Sequence, residues 1–355
     1  MAVADEDRKA LVGGVENFLR DACPVDVAHR AFDGDDTVAR SIWDGMMDLG
    51  LGGLGISQEH GGLGLGLADI AAVADLIGWT AAPGPWIAHT LAGMAIEAAG
   101  TPAQKARWLP SLATGEAVGT LALSEGPAWT ADQWTAQPQD GRLTASKSYV
   151  MAGGQADIAV VGLAGRRLGL VEIKGPGVSS AAFSGTDRTR PLSTLTFDAA
   201  PIELLAGDFA LGLLDAAAVI VAADAHGGSR RMVEDIVEYS KMRPQFGLPI
   251  AQFQAVKHKM ADLALAIYHN GALYRRAAEQ LDARSPDAVL SVAVAKALIT
   301  ETFSNVARQA TEAYGGLGYT WEHSAHIWLR RAMFDYAWLG SPDEHRATAS
   351  SLLGW

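Results

Sequence analysis

The stretch Tyr239–Asp262, YSKMRPQFGLPIAQFQAVKHKMAD, predicts the end of one helix, a tight turn and the start of a second helix. Apolar residues recur at helical spacing on both sides of the turn, at Val233, Ile236, Val237 and Met242 and again at Phe253, Val256, Met260 and Leu263. Pro244, Gly247 and Pro249 interrupt the pattern. The corner carries Arg243 and Phe246, which suit a ligand with a phosphate and a ring. The alternative is a hairpin whose arginine is only solvated.

Composition excludes several classes of protein. The 355 residues are 49% hydrophobic, as in a folded globular protein, and carry a net charge of -12. This charge argues against a sequence-independent binder of nucleic acid or of an anionic membrane, because both need a basic surface. Cys23 is the single cysteine, so we expect no intrachain disulfide and no thiolate metal cluster. The histidines lie apart without metal-ligand spacing, and we therefore expect no metal.

The N-terminal segment is acidic and amphipathic and lacks the apolar centre of a signal peptide. Asp215 and Asp224 interrupt the alanine-rich segment after Leu211, so no apolar run is typical of a membrane span. We expect a cytoplasmic protein.

Periodicity divides the chain into three regions. Residues 1–117 show helical apolar spacing and contain a glycine-rich loop at 50–66. Gly50, Gly52 and Gly55 form a G-x-G-x-x-G match, but a helix precedes it where a dinucleotide-binding unit needs a strand. Residues 118–207 show short strand-like runs separated by turns, and 208–355 return to long helical patterns. We therefore expect an α+β fold with an N-terminal helical domain, a middle antiparallel β-barrel or sandwich and a C-terminal four-helix bundle.

Five expected strands and four expected helices follow from these runs. The clearest strand-like runs are 142–151, 158–163, 168–173 and 193–197, after a first short run at 118–123. The expected C-terminal helices are 211–242, 253–282, 286–314 and a stretch that begins near His323.

Several motifs resemble those of the acyl-CoA dehydrogenase family along nearly the whole chain. Arg-x-x-Phe-Gly at 243–247 resembles the family's flavin-binding corner, EAYGGLGYTWEH resembles its Q-x-x-G-G-x-G-Y motif, and ALSEGPAWTAD resembles its flavin and substrate loop. The resemblance implies FAD as cofactor and an acyl-CoA thioester as substrate. It also implies that a base removes the α-proton while hydride passes from the β-carbon to flavin N5.

The resemblance assigns cofactor-binding roles to ten residues, namely Arg243, Phe246, Gln254, Glu312, Gly315, Gly316, Ser124, Thr130, Tyr149 and Met151. Three positions depart from the family pattern. Glu312 replaces a glutamine, which places a carboxylate near an expected pyrophosphate. Trp129 stands where glycine is usual, and Met151 stands where a hydroxyl is usual and cannot donate its hydrogen bond. The alternative for Tyr149 and Met151 is ordinary packing in the β-domain.

The two usual positions of the catalytic base hold no carboxylate. Alignment places Leu339 at one position and Ala217 or Ala218 at the other. Asp224 lies two helical turns after Ala217, and an aspartate on an apolar helix must be partnered or have a raised pKa, so we expect it as the base. The alternative is a buried aspartate bonded to a neighbour, such as His226 or a β-domain group. We expect three acids near the lost site to be solvated, namely Asp335, Asp343 and Glu344.

Three functions remain open. The first is an active FAD-dependent acyl-CoA dehydrogenase for a bulky or branched acyl group, which passes its electrons to an electron-accepting flavoprotein. The second is a non-catalytic subunit of a heterotetramer, as in similar actinobacterial enzymes that act on sterol side chains. The third is a flavin-dependent oxidase or monooxygenase. The resemblance implies a tetramer, homomeric or with a related subunit.

Overall fold

A computed structural model describes residues 5–126 and 129–355. The twelve α-helices in these residues are α1 (Asp5–Ala22), α2 (Val25–Phe32), α3 (Asp36–Asp48), α4 (Leu67–Thr80), α5 (Trp86–Ala99), α6 (Pro102–Thr114), α7 (Ala210–Met242), α8 (Gln254–Tyr268), α9 (Asn270–Asp282), α10 (Ala288–Ala313), α11 (Ala325–Ala337) and α12 (Pro342–Leu353). The nine strands are β1 (Gly119–Ala122), β2 (Arg142–Met151), β3 (Ile158–Leu163), β4 (Arg167–Glu172), β5 (Val178–Phe183), β6 (Leu192–Pro201), β7 (Glu203–Leu204), β8 (Pro244–Gln245) and β9 (Leu248–Pro249).

The order of helices, strands and helices confirms the expected α+β class. The chain folds into two compact units that are discontinuous in sequence. The first contains Asp33–Ile70, Pro83–Ala217 and the start of α1 up to Lys9, and the second contains Ala10–Phe32, Ala71–Ala82 and Ala218–Trp355. The boundaries expected at 117 and 207 stay a prediction, because these units do not follow contiguous segments.

The helices of the first unit begin and end where local signals place them. At the start of α6, Thr101 accepts from the Gln104 amide and the Gln104 side chain accepts from the Thr101 amide, which forms a capping box. The glycine-rich loop follows α3 and forms two short 3-10 turns rather than a strand-to-helix connection. The rejection of a dinucleotide-binding unit at Gly50 is thus consistent with the fold.

The β-region consists of two sheets. One has the order β1-β3-β4-β7 and the other has the order β2-β6-β5. The strands of both sheets pair antiparallel, as expected, except that β1 pairs in parallel with β3 from Gly119 opposite Ile158 to Ala122 opposite Val161. Inward-facing apolar residues of both sheets share one core, including Leu143, Val161, Leu195 and Phe197. Strands β5 and β7 were not predicted.

The helices of 208–355 number six rather than four in this fully described stretch. Helix α7 is confirmed almost to the residue, at Ala210–Met242. The expected second helix breaks at His269 into α8 and α9, and the final stretch divides into α11 and α12 around Trp338. The count of four was therefore too low, although the helical character of the region is confirmed.

Two of the helices in the described residues, α7 and α10, are long and apolar enough to cross a membrane by length and composition alone. Of the most apolar window in each, 78% and 56% respectively is buried within the protein. Such burial is typical of helices that form a protein core, so this finding is weak evidence for a membrane span.

Candidate functional site

The corner between α7 and α8 is a small β-hairpin formed by β8 and β9. Its two turn residues, Phe246 and Gly247, have positive φ angles of 53° and 80°. Positive φ at both positions is typical of a two-residue hairpin turn, and a phenylalanine in this conformation is strained. The Phe246 ring is 92% exposed and packs edge-on against Phe253, with ring centres 6.1 Å apart. The turn therefore presents an aromatic ring to solvent.

Arg243 lies at the base of this hairpin and is held through its backbone. Its amide donates to the Tyr239 carbonyl at 2.9 Å, and its carbonyl accepts from the Ile250 amide at 2.8 Å. Its exposed guanidinium has no hydrogen bond or ion pair with any residue in 5–126 or 129–355. The backbone of Arg243 is therefore held in place, and its guanidinium is available to an anion.

The glycine turn after α10 lies beside the end of α7. Tyr239 donates its hydroxyl to the Tyr314 carbonyl at 3.4 Å, and the two rings meet at 4.9 Å. Gly315 follows with φ +67°, and a Cβ added at Gly315 or Gly316 would meet no atom within 4 Å. The backbone at this turn is thus open to a close approach by a ligand.

Glu312, at the end of α10, is bonded to two cations. Arg308 donates to it at 3.0 Å and Lys259 of α8 donates at 3.4 Å. The Arg308 and Lys259 side chains carry two positive charges against the single negative charge of Glu312. The local net charge of +1 offsets the repulsion between Glu312 and a pyrophosphate. Gln254, which begins α8, is exposed.

These residues of the second unit fit an anionic dinucleotide. An unpaired guanidinium, an exposed ring, an open glycine turn and a locally cationic helix end supply the donor set that phosphate and adenine groups need. The predicted roles of Arg243, Phe246, Gln254, Glu312, Gly315 and Gly316 stay predictions.

In the first unit, Ser124 is buried and donates its hydroxyl to the Gly126 carbonyl. Thr130 is exposed and donates to the Gln133 side chain at 2.7 Å. Ser124 also pairs with Ser148 in an isolated antiparallel bridge, so it lies next to β2. The roles expected for Ser124 and Thr130 in flavin binding stay predictions.

An ion pair between a buried lysine and a partly buried glutamate anchors the loop that contains these residues, and no sequence pattern predicted it. Lys147 Nζ lies 2.5 Å from Glu125 Oε1 and also donates to the Leu123 and Gly162 carbonyls. Burial opposes ionisation of Glu125, but hydrogen bonds from Lys147 and from Thr135 lower its pKa to about 2. The loop is therefore fixed to β2 at neutral pH by an ionised carboxylate.

Tyr149 lies at an irregularity in β2, where the register against β6 shifts between Lys147 and Val150. Its φ of 56° is unusual for a tyrosine, and such bulges re-aim side chains. Its ring meets Phe183 edge-on at 5.4 Å and Trp129 at 5.8 Å, and these three rings form what we call the aromatic cluster. The expected flavin contact of Tyr149 stays a prediction.

Met151 is almost completely buried, and its carbonyl accepts from the Thr120 hydroxyl at 2.5 Å. This burial favours the packing alternative for Met151, whose expected cofactor contact stays a prediction.

Asp224 is completely buried on α7, and so is its ion-pair partner Arg331 at 3.7 Å. Arg331 also donates to the Ile77 and Ala82 carbonyls at 3.0 Å each, so it satisfies carbonyls at the C-terminal end of α4. A Cβ added at Gly78 would lie 1.9 Å from the Asp224 carbonyl, because α4 and α7 are in close contact at this point. These contacts favour the alternative of a bonded, buried aspartate.

Arg331 is one partner of Asp224, and it was not among the neighbours suggested from the sequence. His226 Nε2 lies 3.7 Å from Asp75, and Arg331 takes the position beside Asp224. The base role of Asp224 stays a prediction.

The loop at the other lost base position is held by a buried lysine. Lys296 donates to the Asp335 carbonyl at 2.8 Å and to the Gly340 carbonyl at 3.1 Å. Leu339 between them is buried and has φ +64°, and His345 contacts its carbonyl at 3.0 Å. This region thus offers an apolar side chain where the family resemblance places a base.

The expectation that Asp335 is solvated was wrong, because Asp335 is completely buried and its carbonyl accepts from Lys296. Glu344 and Asp343 are not buried; Glu344 caps α12 through Ser341, and Asp343 pairs with Arg346 at 2.9 Å.

Known proteins resemble the chain in both sequence and fold. The model of the acyl-CoA dehydrogenase N-terminal domain matches residues 5–116, and that of the C-terminal domain matches 207–351. Acyl-CoA dehydrogenase IpdE2 of Mycobacterium tuberculosis is 31% identical over 340 residues, which cover 96% of this chain and 95% of IpdE2.

Two solved structures match nearly the whole fold. A steroid ACAD, Tcur3481-Tcur3483, is 27% identical with a TM-score of 0.90 and covers 98% of both chains. The ChsE4-ChsE5 complex from Mycobacterium tuberculosis is 24% identical with a TM-score of 0.90, covers 99% of this chain and 98% of that chain, and supports the fold alone. FAD is the cofactor of the family, and one solved structure of the same fold contains it. On these matches, the chain belongs to the acyl-CoA dehydrogenase family of FAD-dependent oxidoreductases.

Proposed function

We propose that this chain is the FAD-binding, base-deficient subunit of a heteromeric acyl-CoA dehydrogenase, and that a related subunit supplies the base. The burial of Asp224 against Arg331 carries this proposal. A general base must reach the proton that it removes, and a carboxylate enclosed with a guanidinium is poorly placed to do so. The two usual positions of the catalytic base have no titratable group, since they hold Leu339 and either Ala217 or Ala218.

The residues that hold the cofactor are retained, which distinguishes this chain from one without a role in the reaction. FAD, when bound, would supply a hydride acceptor for the substrate's β-carbon. Arg243, the Phe246 ring and the glycine turn at Gly315 would hold and orient the dinucleotide. The subunit thus contributes binding and orientation, and its partner contributes proton removal.

We further propose a bulky, ring-bearing acyl-CoA as substrate and an electron-transferring flavoprotein as acceptor. The aromatic cluster is large and partly exposed, and Trp129 adds a ring where the family pattern has a glycine. Aromatic faces suit flat apolar ring systems. The steroid ACAD at 27% identity is consistent with such a substrate. The family resemblance also favours a tetramer.

The subunit proposal is tested by comparing the chain alone with the chain co-expressed in turn with each related acyl-CoA dehydrogenase subunit of its own genome. We expect the chain alone to give no turnover with butyryl-CoA or cyclohexanecarbonyl-CoA, and one of these pairs to oxidise a ring-bearing acyl-CoA. Reduction of an artificial electron acceptor measures turnover. Turnover by the chain alone that Asp224→Asn abolishes, without loss of folded protein, contradicts the proposal and supports Asp224 as the base.

Replacing Arg243 with glutamine is expected to weaken FAD binding about tenfold or more, because a charge-assisted contact to phosphate is lost. Arg243→Lys is expected to recover only part of the affinity, since an ammonium lacks the planar fork. Titration of apoprotein with FAD, followed by flavin fluorescence, measures both. Arg276→Gln on α9 is the control, because it removes the same charge from an exposed position. Equal losses in the Arg243 and Arg276 variants contradict a specific contact.

A further inference from the structure

The two cations on Glu312 differ in what surrounds them. Lys259 belongs to α8, the helix that follows the Arg243 and Phe246 corner, and it reaches across to α10. Arg308 lies one turn before Glu312 on the same helix, in the direction away from Gly315. Lys259 is thus on the side of the corner, whereas Arg308 forms an ordinary i,i+4 pair.

The geometry at Glu312 leaves Lys259 able to bind an anion. The distance of 3.4 Å to Glu312 Oε2 uses one of the three ammonium donors. The Lys259 side chain is 36% exposed, so its remaining donors face the surface. Glu312 Oε1 accepts from Arg308, which fixes the carboxylate on its other side.

We propose that Lys259 is a further phosphate-binding residue of the FAD site, and that Glu312 is the positioning residue that holds it there. This inference rests on the proposed binding of FAD at the corner and glycine turn. Lysine binds phosphate as a point charge and supplements the bidentate fork of Arg243. Glu312 therefore acts on the dinucleotide through Lys259 rather than by direct contact.

FAD titration of apoprotein variants tests the role of Lys259. Lys259→Gln is expected to weaken FAD binding about tenfold at low salt and by less at high salt, because the lost contact is electrostatic. Arg276→Gln on α9 removes the same charge from an exposed position outside the corner and the glycine turn, so it is the control and is expected to change the affinity less than about twofold. Equal losses in the two variants overturn the assignment of Lys259.

Glu312→Gln tests the positioning role separately. The substitution removes a negative charge, so a pure charge effect strengthens FAD binding. If Glu312 holds Lys259 in place, its loss instead weakens FAD binding in spite of the favourable change in charge. Tighter binding in Glu312→Gln overturns the positioning role.

The readouts distinguish this inference from the proposed function. If wild-type apoprotein binds no FAD, the proposed cofactor role of the chain fails. If wild-type protein binds FAD and Lys259→Gln behaves like Arg276→Gln, only the Lys259 inference fails. Urea unfolding midpoints check that each of these exposed variants folds like wild type.

Discussion

Asp224→Asn is expected to lower the free energy of unfolding by about 3–5 kcal/mol. The substitution removes a carboxylate that lies 3.7 Å from the completely buried guanidinium of Arg331, and removing one partner of a buried ion pair is far more costly than losing a surface pair. The carbonyls of Ile77 and Ala82 still accept from Arg331, but they carry no full charge. Urea unfolding of wild type and variant, monitored by circular dichroism, measures the difference.

A double-mutant cycle separates the interaction energy between Asp224 and Arg331 from the contacts that either residue makes with the helix ends. Arg331→Met alone leaves the Asp224 carboxylate buried and is expected to cost a similar free energy. The double variant is expected to lose much less than the sum of the two, because both charges leave together. Glu16→Gln, which breaks the exposed pair with Arg20, is the control and is expected to change stability by less than about 1 kcal/mol.

The cycle also bears on the chemistry. If Asp224 serves as a base, Asp224→Asn removes turnover while the folded state loses little stability. If Asp224 is one half of a structural pair, the stability falls, and the fraction that still folds, assembled with its partner subunit, turns over like wild type. The two quantities therefore separate a catalytic from a structural aspartate.

Local sequence signals predicted the elements that depend on local energetics. Helix α7 was placed within a residue at each end, because its apolar residues recur at helical spacing over a stretch that no proline interrupts before Pro244. The turn at Gly247 followed from glycine and proline in the same way. The sequence VSSAAF of β5 has no alternation of apolar and polar residues, and this exposed strand was therefore missed.

Most of the features that were missed depend on contacts between distant segments. The break between α8 and α9 at His269 does have a local signal, since Asn270 and Gly271 follow it directly. The parallel pairing of β1 with β3 has no local signature. The pairs of Asp224 with Arg331 and of Glu125 with Lys147 likewise join separate elements. By contrast, the pair of Arg308 with Glu312 has an i,i+4 spacing that the sequence can indicate. The chemistry at Asp224 was therefore the least predictable part of the candidate site.

The second large effect concerns pH and the buried Lys296. Burial lowers the pKa of Lys296 from 10.5 to about 7, although the Asp335 and Glu344 carboxylates oppose the shift. Between these values the unfolded chain binds a proton that the folded protein does not bind, so stability must rise with pH across this window. Lys296 is expected to contribute a rise of up to about 1.4 kcal/mol per pH unit above pH 7.

Lys296→Met removes the titrating group and is expected to flatten that rise, and the difference between the two unfolding curves isolates the contribution of Lys296. Measurements between pH 7 and 8.5 lie above the pKa of His345, which burial and Lys296 lower to about 4. Burial raises the pKa of the Cys23 thiol from 9.0 to about 12, and its unfolded-state titration is common to wild type and variant, so it cancels in the difference. Lys241→Met, at an exposed position, is expected to leave the slope unchanged. Equal slopes of unfolding free energy against pH in wild type and Lys296→Met contradict the prediction that the buried Lys296 amine is neutral. Lys296 is then a charged ammonium where it contacts the loop that carries Leu339.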